Sequence, residues 1–423
     1  MKEEILIEWN PWWEKEFKIN AVERELFNQI KPWIKRPEII AITGIRRAGK
    51  TTLMYLIIQK LLEKVQPKNI FFIKCDDERL EKQNLIQDAI FTYKKLLNPK
   101  GKLYVFLDEV QEIPKWERTL KRIYDLYPNI KMFISGSGMF ISRQEAGTLL
   151  AGRAVYFNLL PFSFSEFVKI KGIEKSKISL LKRKTEILHY LREYMEFGGF
   201  PEVCLAKFKN MKLELLRFYF DTILFRDIIL KHNIRNASKF EQLVIFLLTN
   251  ISSMINFKKI GDLLGLSTDT IVEYSSFLKE AFFIFNVPLF SYSLKSQQIN
   301  PKKCYCIDTG IRNAIGFRFS KDLGKIAENV VFTHLLKRGN EIYYWKNKGE
   351  VDFIVKKRTK TKEAIQVSWN INSSKEREKR SLLEAMDKFK IREGTIITED
   401  YSAVERIGKR KIIYKPIWLW LLE

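Results

Sequence analysis

Short apolar runs alternate along this chain with longer amphipathic stretches. EIIAIT (38–43), NIFFIK (69–74), LYVFLD (103–108) and IKMFIS (130–135) are apolar at consecutive rather than alternate positions. Such runs predict strands buried on both faces. Between the first two, TTLMYLIIQKLLEKV (51–65) has helical length, so the pattern predicts a parallel sheet covered by helices on both sides. Residues 1–37 precede this pattern, with Trp9, Trp12 and Trp13 and an amphipathic stretch near 21–33. Residues from about 174 to 250 read as helical and are basic in places. FKKIGDLLGLSTDTIVEYSSFLKEAFFIFNV (257–287) reads as helix, tight turn at Gly265, helix and strand, with Ile271, Tyr274 and Leu278 on one helix face. From Gly324 the pattern predicts a helix (324–338), strands at 341–345, 350–356 and 363–369, a helix (374–389) and a strand (394–398). The divisions this suggests are 1–37, 38–172, 173–235, 236–320 and 321–423.

Composition narrows the classes. The 423 residues carry 46% hydrophobic and 29% charged side chains, a globular balance that argues against a disordered chain. Four Cys exclude a disulfide scaffold and fit a reducing cytoplasm. Cys304 and Cys306 lack a second pair at zinc spacing, and three His leave little for a metal or acid–base site built on imidazole. No apolar run reaches the roughly 18 residues of a membrane span, and MKEEILIEWN does not read as a signal peptide. A cytoplasmic protein is expected. The net charge of +24 points to a polyanionic partner such as DNA.

The sharpest chemical signal is GIRRAGKT (44–51), which matches G-x-x-x-x-G-K-[ST] between a predicted strand and a predicted helix. Glycines let backbone N–H groups converge on phosphate oxygens at a positive helix N-terminus. The loop Gly44, Ile45, Arg46, Arg47, Ala48 and Gly49, with Lys50, Thr51 and Thr52, would cradle ATP. Lys50 would reach the β- and γ-phosphates, and the Thr51 hydroxyl would ligate Mg²⁺. Arg46 and Arg47 are positioned for the γ-phosphate or for a neighbouring subunit. At the end of LYVFLDEV, Asp108 would hold Mg²⁺ and Glu109 would deprotonate the attacking water. Ser135 and Ser137 in IKMFISGSG are candidate sensors of that water, with ordinary turn chemistry as the alternative. Arg153 is a candidate arginine finger or an ion-paired surface residue. Trp9, Trp12 and Trp13 read as core or staple before they read as an adenine platform.

GIRRAGKTT, FLDEVQEIPKWE, ISGSGMFIS, LAGRAVYFNLLPFSFSEF, EFGGFPEV, TILFRDII and GEVDF together resemble a known family. It comprises archaeal and bacterial AAA-type P-loop ATPases (AAA_14-like) with a C-terminal domain of unknown function (DUF4143-like). The resemblance covers about residues 9–370. It implies an α/β fold: an additional-strand P-loop sheet, a helical and winged-helix region, and a restriction-endonuclease-like α/β domain. It also marks Arg226 and Asp227, where Arg226 would sense nucleotide or sit in an ion pair.

Two implied domains are less clear in their chemistry. A winged helix that reads DNA presents Arg, Lys, Asn or Gln at the start of its recognition helix. Here Ser267, Thr268, Asp269, Thr270 and Glu273 stand there, which favours a packing role, with Lys295, Lys302 and Lys303 of the following segment available for nonspecific DNA contact. A restriction-endonuclease-like site needs a helix Glu, a strand Asp and an acidic-x-Lys triplet. Glu328 and Asp352 fit the first two places. The third holds Gln366 and Ser368, so the Lys is missing and the domain reads as degenerate. Lys356, Lys357, Arg358, Lys360 and Lys362 form a basic hairpin tip suited to a phosphate backbone or to solvent. The expectation is a Mg²⁺-dependent ATP-hydrolysing switch or motor, with a protein partner or homo-oligomer as further candidates. The alternatives are an ATP-regulated nuclease and an ATP-gated DNA-binding regulator.

Overall fold

In a computed structural model of the chain, the four apolar runs become strands β1 (Ile39–Gly44), β2 (Ile70–Lys74), β3 (Leu103–Asp108) and β4 (Ile130–Ser137). A fifth, β5 (Ala154–Asn158), joins at the edge. The structure describes residues 3–138, 149–317, 322–357, 360–371 and 374–423, without the side chains of 357 and 360–362. The chain divides into two units, Met1–Leu160 and Pro161–Glu423.

In the first unit all strand pairs are parallel, in the order β2-β3-β4-β1-β5. β4 lies between β1 and β3, which is the additional-strand P-loop arrangement. Consecutive apolar residues are required because both faces are covered. Ile39, Ala41, Phe71, Ile73, Val105, Leu107, Met132 and Ile134 share one core with helices Leu85–Leu97 and Trp116–Leu126. On the alternate positions Ile40, Ile42, Phe106 and Phe133 are equally buried, and Phe106 stacks on Phe133 with centroids 4.3 Å apart. Helix Lys50–Leu62 packs on β1 and β4.

The N-terminal tryptophans close the free edge of β2. The Asn10 side chain imitates a neighbouring strand, donating to Phe72 O (2.8 Å) and accepting from Phe72 N (2.6 Å). Trp12 and Trp13 both donate to Ile70 O, and Trp13 stacks on Tyr93. The cluster therefore covers an edge that would otherwise invite strand addition. It lies three strands away from β1, and the adenine-platform reading is not realised.

The second unit begins with helices that include Lys184–Phe197, Lys209–Asp221 and a π-helical stretch, Thr222–Leu230. Helix Ala237–Thr249 follows, then β6 (Ser253–Ile255), helices Phe257–Leu264 and Thr268–Glu280, β7 (Ile284–Val287) and β8 (Lys302–Cys306). The three strands pair antiparallel in the order β6-β8-β7. Gly265 ends the first helix of the pair at φ +61°, and the Ser267 hydroxyl caps the next by accepting from Thr270 N. Ile271, Tyr274 and Leu278 are buried, as their spacing predicts.

A six-stranded mixed sheet completes the unit. β9 (Glu341–Lys346), β10 (Glu350–Lys357) and β11 (Lys360–Ser368) form an antiparallel meander. Helix Lys375–Phe389 then crosses to β12 (Glu393–Thr398), parallel to β11. β13 (Ala403–Ile407) and β14 (Arg410–Pro416) extend the sheet to the order β13-β14-β12-β11-β10-β9.

The EFGGFPEV motif has a structural task. Asp308 caps helix Thr309–Ile315 through Gly310 N (2.9 Å) and Ile311 N (3.2 Å), and it also accepts Gly199 N (2.6 Å). Burial pushes its carboxyl up to about 6 against these three N–H donors. Gly198 lies against it at φ +74°, where a Cβ would fall 2.0 Å from Asp308 Oδ1. Gly198→Ala is therefore expected to lower stability by about 2–4 kcal/mol in chemical denaturation. Gly408→Ala, at φ +58° with open space around it, should cost only about 1 kcal/mol. Equal losses would refute the steric account.

Candidate functional site

β1 ends at Gly44, whose φ is +148° and where a Cβ would lie 2.1 Å from Leu159 O. Only glycine passes this point. Arg47 (φ +67°) and Gly49 (φ +94°) then reverse the chain into helix Lys50–Leu62, so the loop's N–H groups gather at a helix N-terminus. Lys50 is buried, and its ammonium donates to Ser137 Oγ (3.0 Å), Gly44 O (3.3 Å) and Ile45 O (3.4 Å). Arg46 is half-buried, while Arg47 and Thr52 are exposed.

Asp108 ends β3 with no solvent exposure. It accepts from Thr51 Oγ1 (2.6 Å) and from Ser135 Oγ. Burial and the neighbouring Glu109 charge raise its pKa, and the two hydroxyls work against that rise. Glu109 turns out of the strand at φ +52°. Its N–H donates to Ser135 Oγ (3.1 Å), and its carboxylate accepts from Gln111 Nε2 (2.6 Å) and Ser137 Oγ (3.1 Å). Lys50 Nζ lies 3.7 Å from it. Burial pushes the Glu109 pKa up, but the Lys50 ammonium, the Gln111 amide and the Arg46 charge outweigh it and hold Glu109 below the ordinary value. Thr51 and Asp108 present hard oxygen donors side by side, a set that suits Mg²⁺.

The structure thus brings Lys50, Thr51, Asp108, Glu109, Ser135 and Ser137 together at the carboxyl edge of the sheet. Arg153 is not among them. It precedes β5, and its backbone meets Ile39 at the opposite end of β1, roughly 17 Å of strand from Gly44. Its guanidinium makes a two-point pair with Asp125 (2.8 and 3.1 Å). Within one chain it does not reach the phosphate loop. Arg226 is exposed on the π-helical stretch.

Two contributors escape a sequence reading. Gln111 holds Glu109 through the turn after β3, which no residue pattern announces. Arg24, buried in the N-terminal segment, donates to Ala48 O (2.8 Å) and Leu160 O (2.7 Å) and so braces the loop from beneath.

A second cluster lies in the other unit. Glu328 on helix Leu323–Lys337, with Glu350 and Asp352 on β10, surrounds the Lys303 ammonium at 2.9, 2.8 and 2.8 Å. Tyr305 OH also donates to Glu328 (2.6 Å). Burial opposes the charge on Lys303, but Asp352 and Glu328 overcome it and push its pKa well above the ordinary value. Gln366 joins the cluster indirectly: its Oε1 accepts Asp352 N (3.1 Å) and its amide donates to Glu378 (2.7 Å). A cleft of about 1030 Å³ opens here, lined also by Lys348, Arg377 and Arg380. Lys303 is 3% exposed, which removes it from any DNA-contacting surface. Lys295 is exposed and Lys302 half-buried. Lys356 pairs with Glu341 (3.4 Å) beside the hairpin tip. Arg358 and the side chains of Lys357, Lys360 and Lys362 lie outside the described residues. Among those described, no group of three carboxylate, His or Cys side chains is arranged to hold a metal ion, and no helix is long and apolar enough to cross a membrane.

Comparison with known proteins finds three matched stretches. Residues 36–168 match an AAA domain family (AAA_14), 188–322 a domain of unknown function (DUF8612), and 323–420 another (DUF4143). The chain is similar to the uncharacterized protein MJ1544 of Methanocaldococcus jannaschii, with 35% identity over 403 residues, 91% of this chain and 88% of that protein. An uncharacterized protein of Haemophilus influenzae is 27% identical over 414 residues, covering 94% of this chain and 98% of that one. Among solved structures, the Aeropyrum pernix Orc1 protein in complex with DNA aligns at 11% identity and a TM-score of 0.31, covering 69% of this chain and 91% of that chain. The phosphate loop, the acidic strand end and the near full-length match to the M. jannaschii protein agree: the chain belongs to the family of AAA-type P-loop ATPases with a C-terminal DUF4143 domain.

Proposed function

We propose that the chain binds and hydrolyses Mg·ATP and acts as a molecular switch or motor. The observation that carries this reading is the convergence of Lys50, Thr51, Asp108 and Glu109 on one helix N-terminus at the carboxyl edge of a parallel sheet. The loop N–H groups from Ile45 to Thr51 would bind the phosphate chain. Lys50 would exchange its present acceptors for β- and γ-phosphate oxygens. Thr51 and Asp108 would hold Mg²⁺, which when bound neutralises charge on those oxygens. Glu109 stays ionised at neutral pH and is the group to take a proton from water. Ser137 touches both Lys50 and Glu109, so it is suited to report phosphate occupancy to the base.

The elements from Ala237 to Cys306 follow the order helix, strand, helix, helix, strand, short helix (Leu294–Ile299) and strand, and we read them as a winged helix. Its second helix of the pair presents Asp269 and Glu273 to solvent. That charge opposes phosphate and supports a protein-contact role over sequence-specific DNA readout. The net charge of +24 supports DNA as a nonspecific partner. Conformational coupling to the second unit would be the output of turnover.

ATP turnover by the purified chain, with and without DNA, tests the reading. Lys50→Ala is expected to lose nucleotide binding. Glu109→Gln is expected to keep binding and to lose about 10²–10³-fold in kcat. Unchanged turnover in both variants would remove the assignment. The pH dependence of kcat/KM adds a second check. Glu109 has a lowered pKa, so the acid limb should lie below that of an ordinary glutamate, and activity lost already as pH falls through 6 would count against Glu109 as the base.

A further inference from the structure

Lys303 occupies an unusual position for a lysine. It belongs to β8, the central strand of the three-stranded sheet, yet its side chain ends among carboxylates of a different sheet and helix. One nitrogen stands 2.8–2.9 Å from an oxygen of each of Glu328, Glu350 and Asp352. Three carboxylates converge on one cation, with their oxygens spaced for the ammonium nitrogen and not, as they stand, for a metal ion. A divalent ion held by the same oxygens would sit about 2.0–2.6 Å from each, in the volume the ammonium fills. The two occupants exclude each other.

The remaining groups are also committed. Of the three N–H donors of the Lys303 ammonium, two are taken by hydrogen bonds to Glu328 and Asp352, and Glu350 pairs with the same nitrogen at 2.8 Å. The ammonium is buried among carboxylates, not turned to a water or a phosphate. The second oxygen of Asp352 accepts Val367 N (2.9 Å), and the Gln366 amide is spent between Asp352 N and Glu378. Ser368 stands where a nuclease-like triplet would carry its lysine. The Mg²⁺ that a restriction-endonuclease-like fold implies at Glu328 and Asp352 therefore does not fit the residues present.

We infer that Lys303 is a tethered cation that takes the place of a divalent metal, so that this cleft binds no metal ion and its carboxylates instead fasten β8 to the six-stranded sheet. The cluster is then an internal joint of the second unit. Lys348, Arg377 and Arg380 on the cleft wall face whatever enters it without a metal between.

Mn²⁺ titration of the full chain without nucleotide, read by calorimetry and by thermal melting, tests this. The wild type and Asp352→Asn should respond identically, because no metal binds there. Lys303→Met keeps the side-chain volume and removes the charge. It should gain a Mn²⁺ site at least about tenfold tighter than any in the wild type, with a melting temperature that rises on adding Mn²⁺. Lys303→Met with Asp352→Asn should lose that site. If Lys303→Met folds only when Mn²⁺ is supplied, metal has replaced the ammonium and the inference stands. If it folds under neither condition, the comparison of wild type with Asp352→Asn decides alone. A Mn²⁺ site in the wild type that Asp352→Asn removes would overturn the inference. So would a folded Lys303→Met that gains no site. Mn²⁺-dependent DNA cleavage by the wild type that Lys303→Met abolishes would also overturn it, by making Lys303 a catalytic lysine.

Discussion

A carboxylate buried at the end of a central strand must find hydrogen-bond donors from its surroundings, and the phosphate-loop unit is arranged around that demand. Asp108 has no exposure, and its donors come from two other elements: Thr51 from the first turn of helix Lys50–Leu62 and Ser135 from β4. Left unpaired, such a group would cost several kcal/mol. Pairing it pins the helix to β3 and sets β3 beside β4. Ser135 also takes the Glu109 N–H, so the hydroxyl that satisfies Asp108 aims the next residue. Lys50, Ser137 and Glu109 complete a chain of contacts in which no polar group moves without disturbing its neighbour.

The second unit applies the same physics to a different end. There the buried charge is an ammonium, and three carboxylates answer it. A buried ion set of this kind is weak evidence for added stability, since desolvation offsets much of the attraction. What it provides is register: a strand from one sheet is seated at one position relative to another. Asp308 does similar work nearby, with three N–H donors from two segments favouring the charge of a carboxylate that burial disfavours. In EFGGFPEV, Gly198 is required because Asp308 leaves no room for a Cβ, and Gly199 because the Phe162 carbonyl leaves none.

Local patterns made much of this visible in advance. β1, β3 and β4 are readable because a strand covered on both faces must be apolar at every position, and the loop after β1 because only glycine passes Leu159. Asp108 and Glu109 follow from their place at the end of such a strand. β13 and β14 are not legible in the sequence, although VERIGKRKIIY alternates around Gly408, because half-exposed strands carry a weaker signal than buried ones. Trp9, Trp12 and Trp13 were legible as an apolar cluster, but not as the cover of β2's edge.

Amino-acid order by itself determined the features whose cause lies within a few residues: strand and helix periods, the backbone reversal at Gly44 and Gly49, the turn at Gly265, and the chemistry available at Lys50, Thr51, Asp108 and Glu109. The tertiary structure alone decided which distant charges meet. Arg24 reaches the Ala48 carbonyl, Arg153 turns to Asp125 at the far end of its strand, and Lys303 enters a carboxylate cluster whose members lie 25 to 49 positions away in the chain. A charged side chain in sequence looks the same whether it will be solvated or buried. Only packing, by removing water from around it, makes its partner obligatory.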